Sequence, residues 1–335
     1  MERFVAYNMP KIELHCHLDG SMSVDVTGRL LSRLGEDYDR EELLHMLTAP
    51  EDCKSLAEYL ERFDLPIRCL QTREGLFAAA EDLALAAAKE HVKYLEVRFA
   101  PSFSTERGLS ELAVIESVRE GLAAAEEKAD ICTGIIVCGM RHLDMEVNLG
   151  MLKQARELFG AGVVGCDLAG DEKAFANALY AEFFDAAKRY GMPYTIHAGE
   201  CGSRDNIKDA IALGAKRIGH GIAMRGDAAL IRRCADLHIG VEVCPTSNLQ
   251  TKAIQDFAEY PFMEFYEAGV PLSVNTDNRT VSGTSSTDEF MRLADSSMMN
   301  ERISERIYRE SVEMSFASDE VKHKLLKDYD NLFMI

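Results

Sequence analysis

The chain has 335 residues, 47% of them apolar, enough to bury the core of one large α/β domain or two ordinary ones. Its 56 acidic against 37 basic residues leave a net charge of -19, which disfavours nucleic acid and anionic membrane surfaces as partners and favours a small neutral ligand. Nine scattered cysteines without a C-x-x-C pair read as reduced core residues, and with no leader-like start and no apolar run near about 18 residues the expected location is the cytoplasm.

Strand one sets the pattern. Ile12 and Leu14 lead into His15, Cys16 and His17, and because side chains alternate along a strand, the two histidines share a face while Cys16 points away from it. Gly20 ends the strand. Residues 22–90 then read as a helical insertion, in which Leu56, Tyr59, Leu60 and Phe63 follow an i, i+3, i+4, i+7 stripe. That stripe suits ordinary core. It equally suits a lid over a site, because the insertion follows the strand that carries the histidines. Residues 75–89, rich in Ala and Leu, form a helix that feeds strand two.

From there strands and helices alternate. Strands are expected at 93–100, 131–138, 163–170, 193–197, 217–220, 240–244 and 271–277, with helices at 109–129, 146–159, 175–190, 206–213, 227–237 and 254–268 between them. Helices at 288–297, 304–315 and 318–332 close the chain. Eight β-then-α units with mostly short connections predict a parallel sheet, closed by right-handed crossovers into a TIM (β/α)8 barrel with a helical insertion after strand 1 and extra C-terminal helices. An open doubly wound sheet is the competing α/β architecture, but no glycine-rich phosphate turn follows strand one. Without linkers or low-complexity tracts, residues 1–335 are expected to form a single domain.

His15 and His17, Asp167, His197, His220 and Asp277 fall at the C-terminal ends of strands one, four, five, six and eight, the face where barrel enzymes keep their chemistry. His45, His91, His142, His238 and His323 lack that placement and read as exposed or locally bonded. A catalytic zinc takes three or four nitrogen and oxygen ligands and leaves a position for water, whose pKa drops toward ~7. His15, His17, His197 and Asp277 supply such a set, with no thiolate among them to suggest a structural zinc, so one Zn2+ per chain is expected. His220 has two roles open to it, a base and electrostatic partner or a fifth ligand and structural donor. Glu200, beyond Gly199, either enters the cavity as a carboxyl of raised pKa that donates a proton or caps the following helix. Asp19 either binds a substrate hydroxyl or closes an Asx-turn with Gly20, and Gly170 offers close backbone approach and an N–H.

Taken together, the stretches Lys11-Ile-Glu-Leu-His-Cys-His-Leu-Asp-Gly-Ser21, Asp167-Leu-Ala-Gly-Asp-Glu172, His197-Ala-Gly-Glu200, Arg217-Ile-Gly-His-Gly221, Thr246-Ser-Asn248 and Asn275-Thr-Asp277 resemble, in that order, the adenosine deaminase family of the metal-dependent amidohydrolase superfamily. The resemblance implies zinc-dependent hydrolytic deamination of adenosine, and of 2'-deoxyadenosine, to inosine and ammonia in purine salvage. It implies zinc on His15, His17, His197 and Asp277, with Glu200 protonating N1 of the purine while an activated water attacks C6 and His220 assists. Gly170 N–H would meet N3, and Asp19 the ribose 5'-hydroxyl. Strand four ends without the lysine that bridges two ions elsewhere in the superfamily, so a single metal is expected. Many family members carry aspartate and proline after the metal aspartate, where this chain has Asn278 and Arg279. Purine N7 accepts a hydrogen bond and an asparagine amide donates at any pH, so Asn278 is expected to keep the N7 contact. The alternatives are deamination of a related 6-aminopurine, adenine or an N6-substituted nucleoside, and a non-catalytic nucleoside-binding protein on the same barrel. The latter is expected to have lost a ligand or the acid, yet all are in place. Oligomeric state is left open.

Overall fold

The computed structural model describes residues 1–50, 53 and 55–332. Among these, eight parallel strands follow one another: β1 (Lys11–His17), β2 (Val92–Phe99), β3 (Cys132–Met140), β4 (Val163–Ala169), β5 (Thr195–Ala198), β6 (Arg217–His220), β7 (Gly240–Val243) and β8 (Leu272–Val274). They form two four-stranded sheets, β1-β2-β3-β4 and β5-β6-β7-β8. Both seams between the sheets are stitched. Cys166 of β4 pairs with Tyr194 just before β5, and Cys16 of β1 pairs with Asp277 beyond β8. At the second seam Asp277 N–H donates to the His15 carbonyl at 2.9 Å and His17 N–H donates to the Asp277 carbonyl at 2.7 Å. The expected (β/α)8 barrel follows.

The helices depart from expectation mainly after β7. A helix over 254–268 would hold Pro261 in its interior, where the ring clashes with the preceding turn and no N–H is left to bond. The chain instead starts the helix Pro245–Gln250 directly after β7, with proline in its first turn, makes a 3-10 turn at Phe257–Glu259 capped by Asp256, and begins the helix Phe262–Glu267 after Pro261. The helix expected at 175–190 begins as a 3-10 turn, Asn177–Tyr180, before Ala181–Arg189. A short helix that the sequence reading left out, Arg3–Asn8, precedes β1.

The insertion after β1 comprises the helices Val24–Arg33, Arg40–Leu47, Leu56–Leu60, Asp64–Cys69 and Arg73–Lys89. Side chains of Ser23, Asp39, Ser55 and Thr72 cap four of them by accepting first-turn N–H groups. The insertion is tied to the loop after β8. Ala49 N–H donates to the Val281 carbonyl at 2.7 Å, Thr48 Oγ1 to the Thr280 carbonyl at 3.3 Å, and Tyr59 Oη lies 2.6 Å from Ser282 Oγ. The C-terminal helices Glu301–Met314 and Asp319–Leu332 pack Tyr308, Val312, Leu325 and Tyr329 against Ile12, Leu14 and Tyr94.

The barrel interior is ionic, whereas such interiors are usually filled by branched apolar side chains. Arg98, Arg217, Glu96, Asp167 and Glu242 are fully buried there. Arg98 bonds Asp167 and Glu242, each at 2.8 Å, and Arg217 bonds Glu242 at 2.6 Å and Glu96 at 2.5 Å. Desolvating five charges is expensive and is tolerated only because each meets opposite charge at hydrogen-bond distance. Phe316, stacked 3.8 Å below the Arg217 guanidinium, closes the N-terminal end, and its N–H donates to Glu96 at 2.6 Å.

Candidate active site

At the opposite end the strands deliver the predicted donors to one point. Strand alternation turns His15 and His17 inward, and β5 contributes His197. His220 and Asp277 both adopt left-handed backbone angles, φ +65° and +59°, which bend the chain sharply as β6 and the segment after β8 reach the barrel mouth. Asp277 Oδ1 lies 3.3 Å from His15 Nε2 and 3.4 Å from His17 Nε2, and His17 Nε2 lies 3.3 Å from His197 Nε2. Donor atoms of His15, His17 and His197 all fall within 4.8 Å of one another.

The ionic interior decides which nitrogens face that point. His15 Nδ1 lies 2.7 Å from Glu242 Oε2, and His197 Nδ1 lies 2.8 Å from Asp167 Oδ2. The His15 ring, giving its Nδ1 proton to Glu242, presents an Nε2 lone pair on the other side. His15 Nε2 is buried without a hydrogen-bond partner. Burial, assisted by the Arg98 charge, lowers the His15 pKa, and burial holds His17 well below its ordinary value, so both rings stay neutral. Burial opposes ionisation of Asp277, yet hydrogen bonding and charge from His15, with His17 and His220 nearby, hold it well below the usual carboxylate range. The neutral nitrogens of His15 and His17 and an anionic oxygen turned on one another fit a borderline-soft cation such as zinc. Cys244 also approaches His15, His220 and Asp277, but burial and the Asp277 charge push its thiol well up, so it keeps its proton and is a poor ligand.

Beside this cluster stand Glu200 and His220, with Glu200 Oε2 3.7 Å from His220 Nε2. Burial first, then Asp277, raises the Glu200 pKa against the opposing pull of His220. His220 Nδ1 faces Asn248 Nδ2 at 3.0 Å, while Tyr260 Oη donates to Asn248 Oδ1 at 3.0 Å. With the amide so oriented, His220 Nδ1 accepts and the neutral ring carries its proton on Nε2, toward the cavity.

A cavity of about 300 Å³ opens on these groups. His17, His197, Asp277, Glu200 and His220 line it, as do Asp19, Gly170 and Asn278, so the candidate substrate contacts share one chamber with the chemistry. Burial pushes Asp19 up to about 6, and its Oδ1 also accepts Gly20 N–H at 3.0 Å, so its local turn bond and its place on the cavity wall coexist. Gly170, at φ +101°, forms the wall by backbone alone. Asn278 Oδ1 packs so closely on Gly20 that a Cβ there would approach it to 1.9 Å. From the insertion, Tyr59, Leu60 and Phe63 border the cavity, whereas the Leu56 side chain lies outside the described residues. His142, exposed as expected, stacks on Phe103 with ring centroids 5.7 Å apart, and both also line the chamber. Asp64 and Asp171 add carboxylates, and no lysine or arginine lines the chamber among the described residues.

Arg98, Glu242 and the Asn248–Tyr260 pair were missed as site residues. A charge flanked on both sides by apolar residues within a strand, as in Val97-Arg98-Phe99 or Val241-Glu242-Val243, is the signal that marked the first two.

A family model described as adenosine deaminase matches residues 10–332. The chain is 39% identical over 336 residues to an adenosine deaminase of Enterococcus faecalis, covering 100% of both. Among solved structures, an adenine deaminase from Arthrobacter aurescens aligns with TM-score 0.89 and 25% identity, covering 97% of this chain and 99% of that one. The N6-methyl-AMP deaminase of Arabidopsis thaliana aligns with TM-score 0.88 and 27% identity, covering 99% of each.

Proposed function

This chain belongs to the adenosine deaminase family, and from that premise we propose which residues carry the hydrolysis of adenosine to inosine and ammonia. The observation that carries the assignment is that His17, His197, His220, Asp277 and Glu200 line one chamber of about 300 Å³, with His15 buried directly behind them in the same donor cluster. His15, His17, His197 and Asp277 hold one Zn2+, which when bound supplies Lewis-acid activation of water, lowering its pKa toward ~7.

The protein side of the reaction follows from the protonation states. Glu200, whose pKa burial raises toward a proton donor's, donates to purine N1 as C6 becomes tetrahedral, so the electrons displaced from the ring have a place to go. Asp277, held anionic, accepts a hydrogen bond from the attacking water and aims it at C6. His220 donates through Nε2 toward the oxygen that develops charge, which favours its electrostatic role over that of a base. The C6–N6 bond then breaks. The two protons of water end on N1, by way of Glu200, and on the departing amino nitrogen.

Asn278 turns its amide N–H to N7, Gly170 meets N3, and Asp19 receives the ribose 5'-hydroxyl. A chamber lined by Asp19, Asp64 and Asp171, with no lysine or arginine among the described residues, disfavours a 5'-phosphate, which supports a nucleoside, adenosine or 2'-deoxyadenosine, over a nucleotide. Tyr59, Leu60 and Phe63 act as the lid. Nine free cysteines, and described helices too short or too polar to cross a membrane, support a cytoplasmic purine salvage enzyme built as one domain over residues 1–335.

The test is loss of adenosine absorbance by purified protein, with and without chelator and added zinc, alongside adenine, AMP and N6-methyladenosine. Chelator should abolish turnover of adenosine and zinc restore it, with AMP turned over at least ~100-fold less efficiently. Adenine or AMP as the preferred substrate would overturn the ribose assignments, and full activity in metal-free protein would overturn the ligand set.

A further inference from the structure

Glu172 belongs to none of the roles above, yet it is buried and its carboxylate spans the backbone on both sides of Glu200. Gly199 N–H donates to Glu172 Oε2 at 2.8 Å, and Cys201 N–H donates to Glu172 Oε1 at 2.5 Å. The loop it grips is hinged by glycines in left-handed conformations at both ends, Gly199 at φ +79° and Gly202 at φ +84°. Such a loop has little stiffness of its own. Gly199 is also pressed against Ile207, where a Cβ would come within 2.5 Å, so the near end of the loop is seated while the far end relies on Glu172.

Glu172 is itself fixed. Its carbonyl accepts Asn206 Nδ2 at 3.0 Å, and Asn206 exchanges two further bonds with Asn177. Arg141 completes the brace, donating to Asn177 Oδ1 at 2.7 Å and to the His197 carbonyl at 2.7 Å. We propose that Glu172 is a positioning residue that holds the Glu200 carboxyl at the reacting ring through paired hydrogen bonds to the two flanking amides. A carboxylate matches two converging N–H groups with two acceptors. An amide matches only one and turns its own N–H against the other. The inference rests on Glu200 being the proton donor, as argued above.

The experiment compares Glu172→Gln, Glu172→Asp, Glu200→Gln and the double variant Glu172→Gln/Glu200→Gln in steady-state adenosine kinetics, with zinc content measured for each. Loss of the clamp should lower kcat about 10- to 100-fold, with KM and zinc content within about twofold of the parent. Glu172→Asp, one methylene too short to bridge both amides, should show the same split if Glu172→Gln fails to fold. In the Glu200→Gln background the Glu172→Gln change should cost nothing further, because the group it positions is already gone. Parent-like kcat in both Glu172 variants, or losses that multiply fully in the double variant, would overturn the proposal. Parent-like kcat in Glu200→Gln would instead overturn the role of Glu200 itself.

Discussion

Glu242 is the most consequential side chain that never reaches the cavity, and Glu242→Gln tests what it does. Its Oε2 accepts from His15 Nδ1 at 2.7 Å and from Arg98 at 2.8 Å, and its Oε1 accepts from Arg217 at 2.6 Å. The substitution strands neither cation. Arg98 keeps Asp167 and the Leu14 carbonyl, and Arg217 keeps Glu96 and the Met314 carbonyl. The cost to folding should therefore be that of one buried unsatisfied group, about 1–3 kcal/mol, below the ~3–5 kcal/mol of an orphaned buried charge. At ~2 °C per kcal/mol for a chain of this size, the metal-free protein should melt about 2–6 °C lower. The effect on the ion should be more specific. With an amide N–H facing Nδ1, the His15 proton moves to Nε2, the nitrogen that must be free. Loss of such a partner weakens metal binding ~10- to 100-fold, about 1.4–2.7 kcal/mol. Zinc affinity by chelator competition, with melting curves of metal-free and zinc-loaded protein, separates the two effects. Unchanged zinc affinity alongside a lowered metal-free Tm would mean that Glu242 only braces the barrel, and the tautomer argument would fail.

Three further predictions probe the cavity wall and a buried acid. Gly20→Ala drives a Cβ to 1.9 Å from Asn278 Oδ1, so the amide must swing away; kcat/KM for adenosine should fall ~10-fold or more at unchanged zinc content, and parent-like kinetics would refute the crowding. Asn278→Ala should raise KM or lower kcat/KM for adenosine, and an unaltered profile would remove Asn278 from the N7 contact. Glu289, buried and bonded to Thr246 N–H and Thr284 Oγ1, is pushed by burial from the ordinary 4.5 up to about 7. A carboxyl with a raised folded pKa favours the fold while protonated, so its contribution is complete below about 4.5 and is lost as pH rises to about 7, a fall of about 3 kcal/mol. Glu289→Gln removes that loss, so its Tm relative to the parent should improve by about 5 °C between about pH 5 and about pH 8, and a pH-independent difference would refute it.

The barrel was legible because short, largely apolar runs alternate regularly with helical stretches, and period two alone put His15 and His17 on one face. The residues that cluster at the barrel mouth, Glu200 among them, were legible because they sit at or just beyond the points where such runs stop. What lay inside the runs was not. Arg98 and Glu242 occupy inward positions of β2 and β7, and a charge in a strand reads as solvated until its partner is known to come from a strand 144 residues away. The apolar period of 254–268 continued across Pro261, and the backbone constraint of one residue outweighed it. His142 was discounted because it lies beyond its strand, and only the fold brings it onto Phe103.

The seam between the two half-barrels has a consequence for the working life of the protein. His15 and His17 come from the first sheet, His197 and Asp277 from the second side, and the Cys16–Asp277 bridge is one of the two places where the halves meet. An ion gripped by all four, as proposed, would act as a rivet across the joint. Its departure would free the split to gape, and amides at that joint, those of His17 and Asp277 first, should then trade hydrogen with solvent sooner than the rest of the sheet. Scarcity of the metal would then shorten survival as well as silence turnover.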